Sequence, residues 1–157
     1  MSDTADPREL RRLLQQLFRR FGVLSSESTP CGKPLSPAHA HALMVLLANG
    51  ELSQQQLGAE LGIDKSNVAR LCARMVEAGH ASQEQSEADG RSRRVCLTAA
   101  GKRVARDVDA ASTARFAALM RELPSDRHRH VVDALEQLVV AIGSLPSAGR
   151  GTAKRPE

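Results

Sequence analysis

Two short groups of polar and cationic side chains in this chain are suited to hydrogen bonding with a polyanion. The first group is polar and basic and comprises Lys65, Ser66, Asn67 and Arg70. The second group consists of three arginines, Arg91, Arg93 and Arg94. Lys and Arg donate to phosphate oxygens or to guanine O6 and N7, and an Asn amide can pair with adenine through two hydrogen bonds. The residue types therefore predict contacts with phosphates and base edges, if one surface of the fold presents both groups.

The elements around the first group are predicted to be two short helices joined by a turn. Ser53 and Gln56 form the pattern of a capping box, and Gly62 ends the helix that they begin. Asp64 caps the next helix, which Gly79 terminates. The second helix of such a pair enters the major groove by its N-terminal end, where unpaired backbone N–H groups also attract phosphate. The spacing places the first group at that end.

Small and apolar residues predict how these two helices pack. Ala59 is expected where the helices cross, because only a small side chain fits there, and Gly62 where the turn needs a flexible backbone. Leu52 and Leu57 can close over the start of the earlier helix as a hydrophobic staple. The buried face of the later helix is predicted to comprise Val68, Leu71, Cys72, Met75 and Val76.

The second group lies in a predicted β-hairpin, which we call the wing. Strands over 81–86 and 95–97 flank residues 87–90, which end in the hairpin signal Asp-Gly. Thr98 then caps a long helix that continues to about Leu123. Because the wing directly follows the two short helices, the chain is predicted to be mainly α with a small β-hairpin wing, that is, a winged helix-turn-helix.

Apolar residues at helical spacing predict three further helices outside this unit. They lie over residues 7–24, from the cap Ser36 to Asn49, and after the break at Pro124 and Ser125. The long helix after the wing is expected to direct inward Val104, Val108, Ala111, Phe116, Leu119 and Met120. The last helix has an apolar face of Val131, Leu135, Leu138, Val139 and Ile142. These helices offer more apolar surface than one chain of this shape could cover, which predicts association.

Composition narrows the class of protein. The 157 residues are 41% hydrophobic and 25% charged, as in an ordinary globular domain. The chain has no Trp, no Tyr and three Phe, so it lacks the aromatic platforms that single-stranded nucleic acid and RNA require. The net charge of +4 is too small to indicate a nucleic-acid partner by itself. Three widely spaced cysteines, with neither a signal core nor a membrane-length apolar run, predict a reduced cytoplasmic protein.

Catalysis is not indicated by the sequence. We find neither an arrangement of nucleophile and base nor a Gly-rich loop that would cradle phosphate, and so we predict no enzyme and no cofactor.

The motifs together are similar to those of the MarR family of bacterial regulators. The resemblance covers residues 35–101 and is carried by LSPAHAHALMVL, LSQQQLGAELGIDKSNVARLCARMVEAG and DGRSRRVCLTAAG. The most specific part is an Asp-x-Arg followed by five residues and Leu-Thr, here Asp89, Arg91, Leu97 and Thr98. One position departs from the family pattern, because Gln83 stands in the first wing strand where an Arg is usual, so one backbone contact or wing ion pair is in doubt.

The resemblance implies three segments: a dimerisation helix and loop over 1–34, a DNA-binding winged helix over 35–100, and C-terminal dimerisation helices over 101–145. Residues 146–157 are rich in Gly, Pro, Lys and Arg, and this composition predicts a disordered tail. The resemblance implies further that Arg91 enters the minor groove and that Asp89 helps to orient it. The DNA-binding set is then Lys65, Ser66, Asn67, Arg70, Arg91, Arg93 and Arg94. The arginines of the first helix are predicted to be solvated rather than bound to DNA.

The resemblance also implies partners. Terminal helices of two subunits interlock in a homodimer. The dimer then presents its two winged helices, which we call the reading heads, about one DNA turn apart on a pseudo-palindromic operator. A small-molecule effector binds between the dimerisation helices and the reading head, and repression is the default outcome. The operator and the effector are not identified by the sequence.

Three alternatives stay open at this point. Cys31 lies in a polar loop beside Lys33, where an exposed thiol near a cation could sense oxidants, whereas Cys72 and Cys96 fit structural positions. Cys31, His39 and His41 are close enough in sequence to suggest a metal, but two histidines two residues apart on a helix point in different directions, so we predict no metal site. A helical interaction protein that has lost DNA binding is the third alternative, and the wing arginines argue against it.

Overall fold

A computed structural model describes residues 6–24, 27–85, 90 and 92–146 of the chain. The chain divides into two compact units, the first ending at Arg115 and the second beginning at Phe116. Asp89, Arg91 and the predicted disordered tail beyond Pro146 lie outside the described residues.

The described elements are mainly helical, with one small antiparallel sheet, which confirms the predicted fold class. The helices are α1 (Pro7–Phe21), α2 (Pro37–Asn49), α3 (Gln54–Leu61), α4 (Lys65–Glu77), α5 (Ala99–Arg121) and α6 (His128–Gly143), with a 3₁₀ turn over Ser125–Arg127. The strands are β1 (Glu51–Ser53), β2 (Ala81–Gln85) and β3 (Arg93–Leu97). No helix among the described residues is both long and apolar enough to cross a membrane.

The predicted helix starts are confirmed by their side-chain caps. Ser36 Oγ accepts from the backbone N–H of His39 at 3.2 Å, at the start of α2. At the start of α3, Ser53 Oγ accepts from Gln56 N at 3.1 Å while Gln56 Oε1 accepts from Ser53 N at 2.8 Å, so both halves of the capping box are present. Each cap satisfies a backbone donor that has no partner inside its own helix.

The first helix is shorter than predicted. It ends at Phe21 rather than at Leu24, because Gly22 takes the left-handed conformation (φ +83°) and its N–H donates to Phe18 O at 3.2 Å. Glycine adopts this conformation without a steric penalty and so ends helices efficiently. The apolar residues at positions 23 and 24 continued the periodic pattern and hid the stop.

The sheet has three strands in the order β1-β3-β2, rather than the two of a simple hairpin. Strand β3 pairs with β2 as the predicted wing and also with β1, where Leu52 lies opposite Val95. The third strand was missed because three residues are too few to show an alternating pattern. Ser53 ends β1 and caps α3 as well, so its signal was interpreted only as a helix start.

The hydrophobic core of the first unit lies between α2, α3, α4, the sheet and the first half of α5. Its fully buried side chains are aliphatic or sulfur-containing: Leu43, Leu46, Leu57, Val68, Cys72, Met75, Val95 and Val108. Val76, predicted to be buried, is 41% exposed, because it lies just past the strip of α4 that faces the core.

The close approach between α3 and α4 is made by Gly58 and not by Ala59, so that prediction was wrong by one residue. Ala59 is exposed, whereas Gly58 is buried. A Cβ on Gly58 would lie 3.3 Å from the carbonyl oxygen of Ile63 and 3.4 Å from Val68 Cγ1. The crossing therefore favours glycine, since a Cβ here would lie closer to its neighbours than an ordinary van der Waals contact.

The second unit contains the end of α5, the 3₁₀ turn and α6. His128 Nε2 lies 3.1 Å from the carbonyl oxygen of Leu123, which ties the turn to the end of α5. Contrary to prediction, Phe116 and Leu119 are not directed into a core of the chain, since they are 49% and 43% exposed. No described residue of α6 is buried, so its apolar face is left on the surface.

Candidate nucleic-acid interface

The first turns of α4 present one polar face to solvent. Lys65, Ser66, Asn67 and Arg70 are all exposed, whereas Val68 and Leu71 on the opposite face are buried in the core. Burial of these apolar residues fixes the rotation of the helix about its axis. All four residues of the first predicted group are therefore brought together on one surface.

Asp64 caps this helix through its carboxylate. Asp64 Oδ1 accepts from the backbone N–H of Asn67 at 2.8 Å, and Oδ2 accepts from Asn67 Nδ2 at 2.7 Å. Hydrogen bonding from the Asn67 backbone is the largest cause that lowers the pKa of Asp64, with smaller contributions from the Asn67 side chain and the positive charge of Arg70. The carboxylate thus stays ionised at the positive end of the helix dipole.

Arg70 is joined to the same cluster. Its Nη2 donates to Asn67 Oδ1 at 2.6 Å, so the Asn67 amide bonds with Asp64 on one side and with Arg70 on the other. The sequence predicted that these residues share a surface but did not predict these hydrogen bonds, because Asn and Arg three residues apart on a helix can equally both point into solvent.

The turn before α4 sets how the two helices meet. Gly62 has φ +64°, and the N–H of Ile63 donates to Gly58 O at 3.0 Å. The left-handed Gly62 confirms the predicted need for a flexible backbone at this turn.

The wing carries Arg93 at the outer end of its sheet. Gln85 and Arg93 are the last paired residues of β2 and β3, and Gln85 Nε2 donates to the carbonyl oxygen of Gly90 at 2.7 Å. Arg93 is exposed at this end. The wing residues with the most specific predicted roles, Asp89 and Arg91, lie outside the described residues, so their roles stay predictions.

Arg94 differs from the other predicted DNA-binding residues. Its Nε donates to the Glu51 carboxylate on the neighbouring strand β1, and Glu84 is its pairing partner on β2. Arg94 therefore lies between two acidic residues of the sheet. Its positive charge is partly compensated within the chain before any partner arrives.

Gln83 points toward the core rather than along the surface of the wing. It pairs with Val95, and its side chain lies near the buried thiol of Cys72. Burial raises the pKa of Cys72, and the nearby Gln83 amide opposes this rise in part. Gln83 Nε2 is buried and has no hydrogen-bond partner among the described residues. Gln83 is thus a partly buried side chain with a buried amide nitrogen, and Cys72 is buried as predicted.

The start of α5 is tied to the end of α4 through backbone atoms. Thr98 Oγ1 donates to Gly79 O at 2.6 Å and accepts from Gly101 N at 3.0 Å, which confirms Thr98 as the cap of α5. Thr98 N also donates to His80 O at 3.1 Å. A Cβ on Gly101 would lie only 1.8 Å from that carbonyl oxygen. This junction was not predicted, since Gly101 carries no signal within a helical pattern beyond its lower propensity.

Two histidines meet beside this junction. His39 Nε2 lies 3.0 Å from His80 Nδ1, and the rings are arranged edge to face. His39 is buried, and burial lowers its pKa, followed by the effects of His80 and Arg74. His41, two residues along α2, is exposed, so the two histidines of that helix do point in different directions.

The Cys31 loop is more closely packed than predicted. Cys31 is half-buried rather than exposed, and its Sγ lies 3.0 Å from Thr29 Oγ1. Thr29 is buried, and its hydroxyl accepts from Lys33 N at 2.9 Å. Within the described part of the chain, no three His, Cys, Asp or Glu side chains lie close enough to hold a metal ion.

Part of the chain is similar in sequence to a known protein family. Residues 33–92 match the model of the MarR family. No curated protein sequence is similar enough to this chain to count as a match.

Solved structures share the fold at low sequence identity. FabT of Streptococcus pneumoniae in complex with DNA is 18% identical, with a TM-score of 0.75 over 90% of this chain and 100% of that one. The PcaV transcriptional regulator of Streptomyces coelicolor in complex with its natural ligand is 24% identical, with a TM-score of 0.66 over 90% and 99%. BpsR of Bordetella bronchiseptica, whose DNA binding is regulated by 6-hydroxynicotinic acid, is 17% identical, with a TM-score of 0.70 over 83% and 98%. These likenesses establish the fold.

Proposed function

We propose that this chain is a transcriptional regulator of the MarR family, whose model residues 33–92 match, and that it binds a specific sequence in double-stranded DNA. The observation that carries the proposal is the exposed first turn of α4, where Lys65, Ser66, Asn67 and Arg70 lie on one face above a buried apolar face. Side chains at this end of a recognition helix reach base edges in the major groove.

The wing supplies a second contact in this proposal. Arg91 enters the minor groove, oriented by Asp89, as the family resemblance implies, and a narrow groove concentrates the negative potential that favours Arg. The exposed Arg93 binds backbone phosphate beside it. Arg94 contributes less, because Glu51 already neutralises part of its charge.

The functional unit is a homodimer on a pseudo-palindromic operator. In the first unit of the chain, α1 buries none of its residues and leaves an apolar face exposed, which includes Leu10, Leu13, Leu17 and Phe18. In the second unit, the exposed large apolar residues are Phe116, Leu119, Val132, Leu135, Val139, Val140, Ile142 and Leu145. Apolar surface of this extent marks a protein interface, and a second copy of the chain covers it by two-fold symmetry.

Regulation is proposed to be repression that a small-molecule effector relieves. Two structural relatives support an effector, since one was solved in complex with its natural ligand and the DNA binding of the other is regulated by 6-hydroxynicotinic acid. An effector shifts the equilibrium only if it binds one conformation of the dimer more tightly than the other. A protein with this function acts on chromosomal DNA, which places it in the cytoplasm.

Titration of labelled duplex DNA from the gene's own upstream region tests the proposal by fluorescence anisotropy. The proposal expects tight binding to the duplex, much weaker binding to either single strand, and an affinity that falls linearly with salt on a double logarithmic plot, because neutralised phosphates release counterions. Equal affinity for duplex and single strand, or an affinity that does not change with salt, would contradict it.

Arg91→Ala tests the wing within the same experiment. Loss of a good groove contact costs about 1–3 kcal/mol of binding free energy. An unchanged affinity for the selected duplex would remove Arg91 from the interface.

A further inference from the structure

Three side chains in the first turns of α4 are joined in series by hydrogen bonds. Asp64 Oδ2 accepts from Asn67 Nδ2 at 2.7 Å, and Asn67 Oδ1 accepts from Arg70 Nη2 at 2.6 Å. From this series we infer that Asn67 is a positioning residue, which holds Arg70 so that Arg70 reads a guanine in each half-site. The inference rests on the proposed function and specifies which side chain sets the sequence preference.

Adenine recognition by Asn67 is disfavoured by these bonds. An Asn side chain reads adenine by donating to N7 from its NH₂ group and accepting from the N6 amine with its carbonyl oxygen. Both groups of Asn67 already have partners within the chain, since the NH₂ donates to Asp64 and the oxygen accepts from Arg70. The amide keeps only its second N–H and its second lone pair for adenine, so a two-bond pair with the base would compete with the bonds to Asp64 and Arg70.

Arg70 keeps the donors that guanine requires. A guanidinium has five N–H groups, and Asn67 is the only hydrogen-bond partner of Arg70 among the described residues. The remaining N–H groups can donate as a fork to guanine O6 and N7. Because Arg70 is exposed one helical turn from the N-terminus of α4, it lies on the side of the helix that faces the groove.

Positioning matters because an exposed Arg side chain is otherwise mobile. Ordering such a side chain on binding costs conformational entropy, and a chain held beforehand in the bound geometry loses less. Asp64 anchors the series to the backbone, since its Oδ1 accepts from the Asn67 N–H at 2.8 Å. The Arg70 guanidinium is thereby tied to the helix backbone through a series of three hydrogen bonds.

The test begins with selection of preferred sequences by the full-length wild-type chain from a library of duplex DNAs with a randomised segment. Affinities for single-base variants of the selected sequence are then measured for wild type, Asn67→Ala, Arg70→Ala and the double variant. We expect Arg70→Ala to lower the preference for guanine at one base pair by about 10- to 100-fold, the usual value of a bidentate contact. Asn67→Ala should lower the preference at that same base pair by a smaller factor.

The double variant separates a positioning role from a direct one. If Asn67 acts through Arg70, adding Asn67→Ala to Arg70→Ala changes the preference at that base pair no further. If Asn67 reads a base itself, Asn67→Ala relaxes a different base pair and its effect multiplies with that of Arg70→Ala, which overturns the inference. A uniform loss on all sequences for Arg70→Ala would assign Arg70 to phosphate and overturn it as well.

Two further variants test whether the planar fork of Arg70 and the accepting oxygen of Asn67 are needed, rather than charge alone. Arg70→Lys keeps the charge without the planar fork, so it should lose the guanine preference while keeping most of the affinity for unrelated duplexes. Asn67→Asp keeps an oxygen that accepts from Arg70 but loses the N–H that donates to Asp64, so its preference for guanine should lie between those of wild type and Asn67→Ala, while the added negative charge weakens binding to all duplexes. A wild-type chain that selects no sequence would overturn the proposed function and this inference together, whereas a selective wild type with independent Asn67 and Arg70 effects would overturn the inference alone.

Discussion

Arg94 is hydrogen-bonded to Glu51, a residue of the neighbouring strand, whereas Arg93 beside it on β3 is exposed at the outer end of the wing. The two arginines follow each other in sequence and carry the same charge. The two residues therefore form a matched pair for measuring how much the wing's proposed affinity for DNA depends on an arginine that makes no ion pair within the described residues.

Arg93→Ala should therefore weaken duplex binding more than Arg94→Ala. A phosphate contact contributes about one unit to the slope of affinity against salt, so Arg93→Ala should lower that slope by about 1 and Arg94→Ala by less. Anisotropy titrations of both variants over a range of salt measure the two slopes. Because both variants remove one positive charge, net charge cannot explain a difference, and equal losses would contradict our assignment.

Gly101→Ala should destabilise the chain strongly. Its new methyl group would lie on the carbonyl oxygen of His80, a backbone atom that cannot move aside as a flexible side chain could. Overpacking of this kind costs about 1–3 kcal/mol or more of unfolding free energy, measured by chemical denaturation. Gly143→Ala is the matched control, since nothing lies within 4 Å of its Cβ position and Ala favours the helix. A Gly101→Ala variant as stable as the control would show that the backbone at this junction rearranges at little cost in free energy.

The buried His39 should make stability depend on pH. Its pKa is lowered from the usual 6.5 in the folded state, chiefly by burial, so the unfolded chain binds the proton more tightly. The contribution of His39 to the unfolding free energy is then complete above pH 6.5 and is lost as pH falls from 6.5 through the lowered folded pKa. His39→Gln should remove this part of the pH dependence.

His41→Gln serves as the control for that experiment, because His41 is exposed on the same helix. Denaturation curves at several pH values compare the three proteins. An identical loss of stability at acidic pH in the wild type and His39→Gln would assign the effect to other groups.

Leu135→Glu should break the dimer while leaving the fold of the monomer intact. Leu135 is 47% exposed on α6, so a charge there is tolerated in a single chain but would be buried without a partner in an interface. Light scattering after size exclusion should report the mass of a monomer. Anisotropy titration should show a matching loss of operator affinity. Gln137→Glu adds the same charge to an exposed position of α6 and should remain dimeric. A dimeric Leu135→Glu that binds DNA normally would place the interface elsewhere.

Oxidant sensing through Cys31 is the remaining alternative. The hydroxyl of Thr29 lies 3.0 Å from the sulfur and also accepts from Lys33 N, so the half-buried thiol has a defined environment. If Cys31 senses oxidants, mild peroxide lowers operator affinity reversibly and Cys31→Ser abolishes the response, while the buried Cys72 reacts slowly. Identical losses in wild type and Cys31→Ser would end this hypothesis in favour of a small organic effector.

The reading head was predictable from sequence because its signals are local. Ser36, Ser53 and Asp64 each cap a helix within three residues, so the side chain and its backbone partner are visible in one short window. Gly62 and Thr98 mark a turn and a cap by the same short-range logic.

Features that depend on distant residues could not be predicted in this way. The third strand exists only because β3 lies beside Glu51–Ser53, and the ion pair of Arg94 follows from that pairing. The contact between His39 and His80 joins residues 41 positions apart, and neither their residue types nor their spacing predicts it. Ala59 was chosen over Gly58 because both are small, and only the crossing itself decides which one faces the neighbouring helix.

The hydrogen bonds that tie α5 to the end of α4 involve mainly backbone atoms and the hydroxyl of Thr98. The residues exposed on α4 contribute nothing to this tie. Under the proposed function, substitutions at Lys65, Ser66, Asn67 or Arg70 can therefore change which operator is bound without changing the hydrogen bonds between α4 and α5. In evolutionary terms, the operator sequence that the proposed regulator binds and the effector to which it responds can diverge independently.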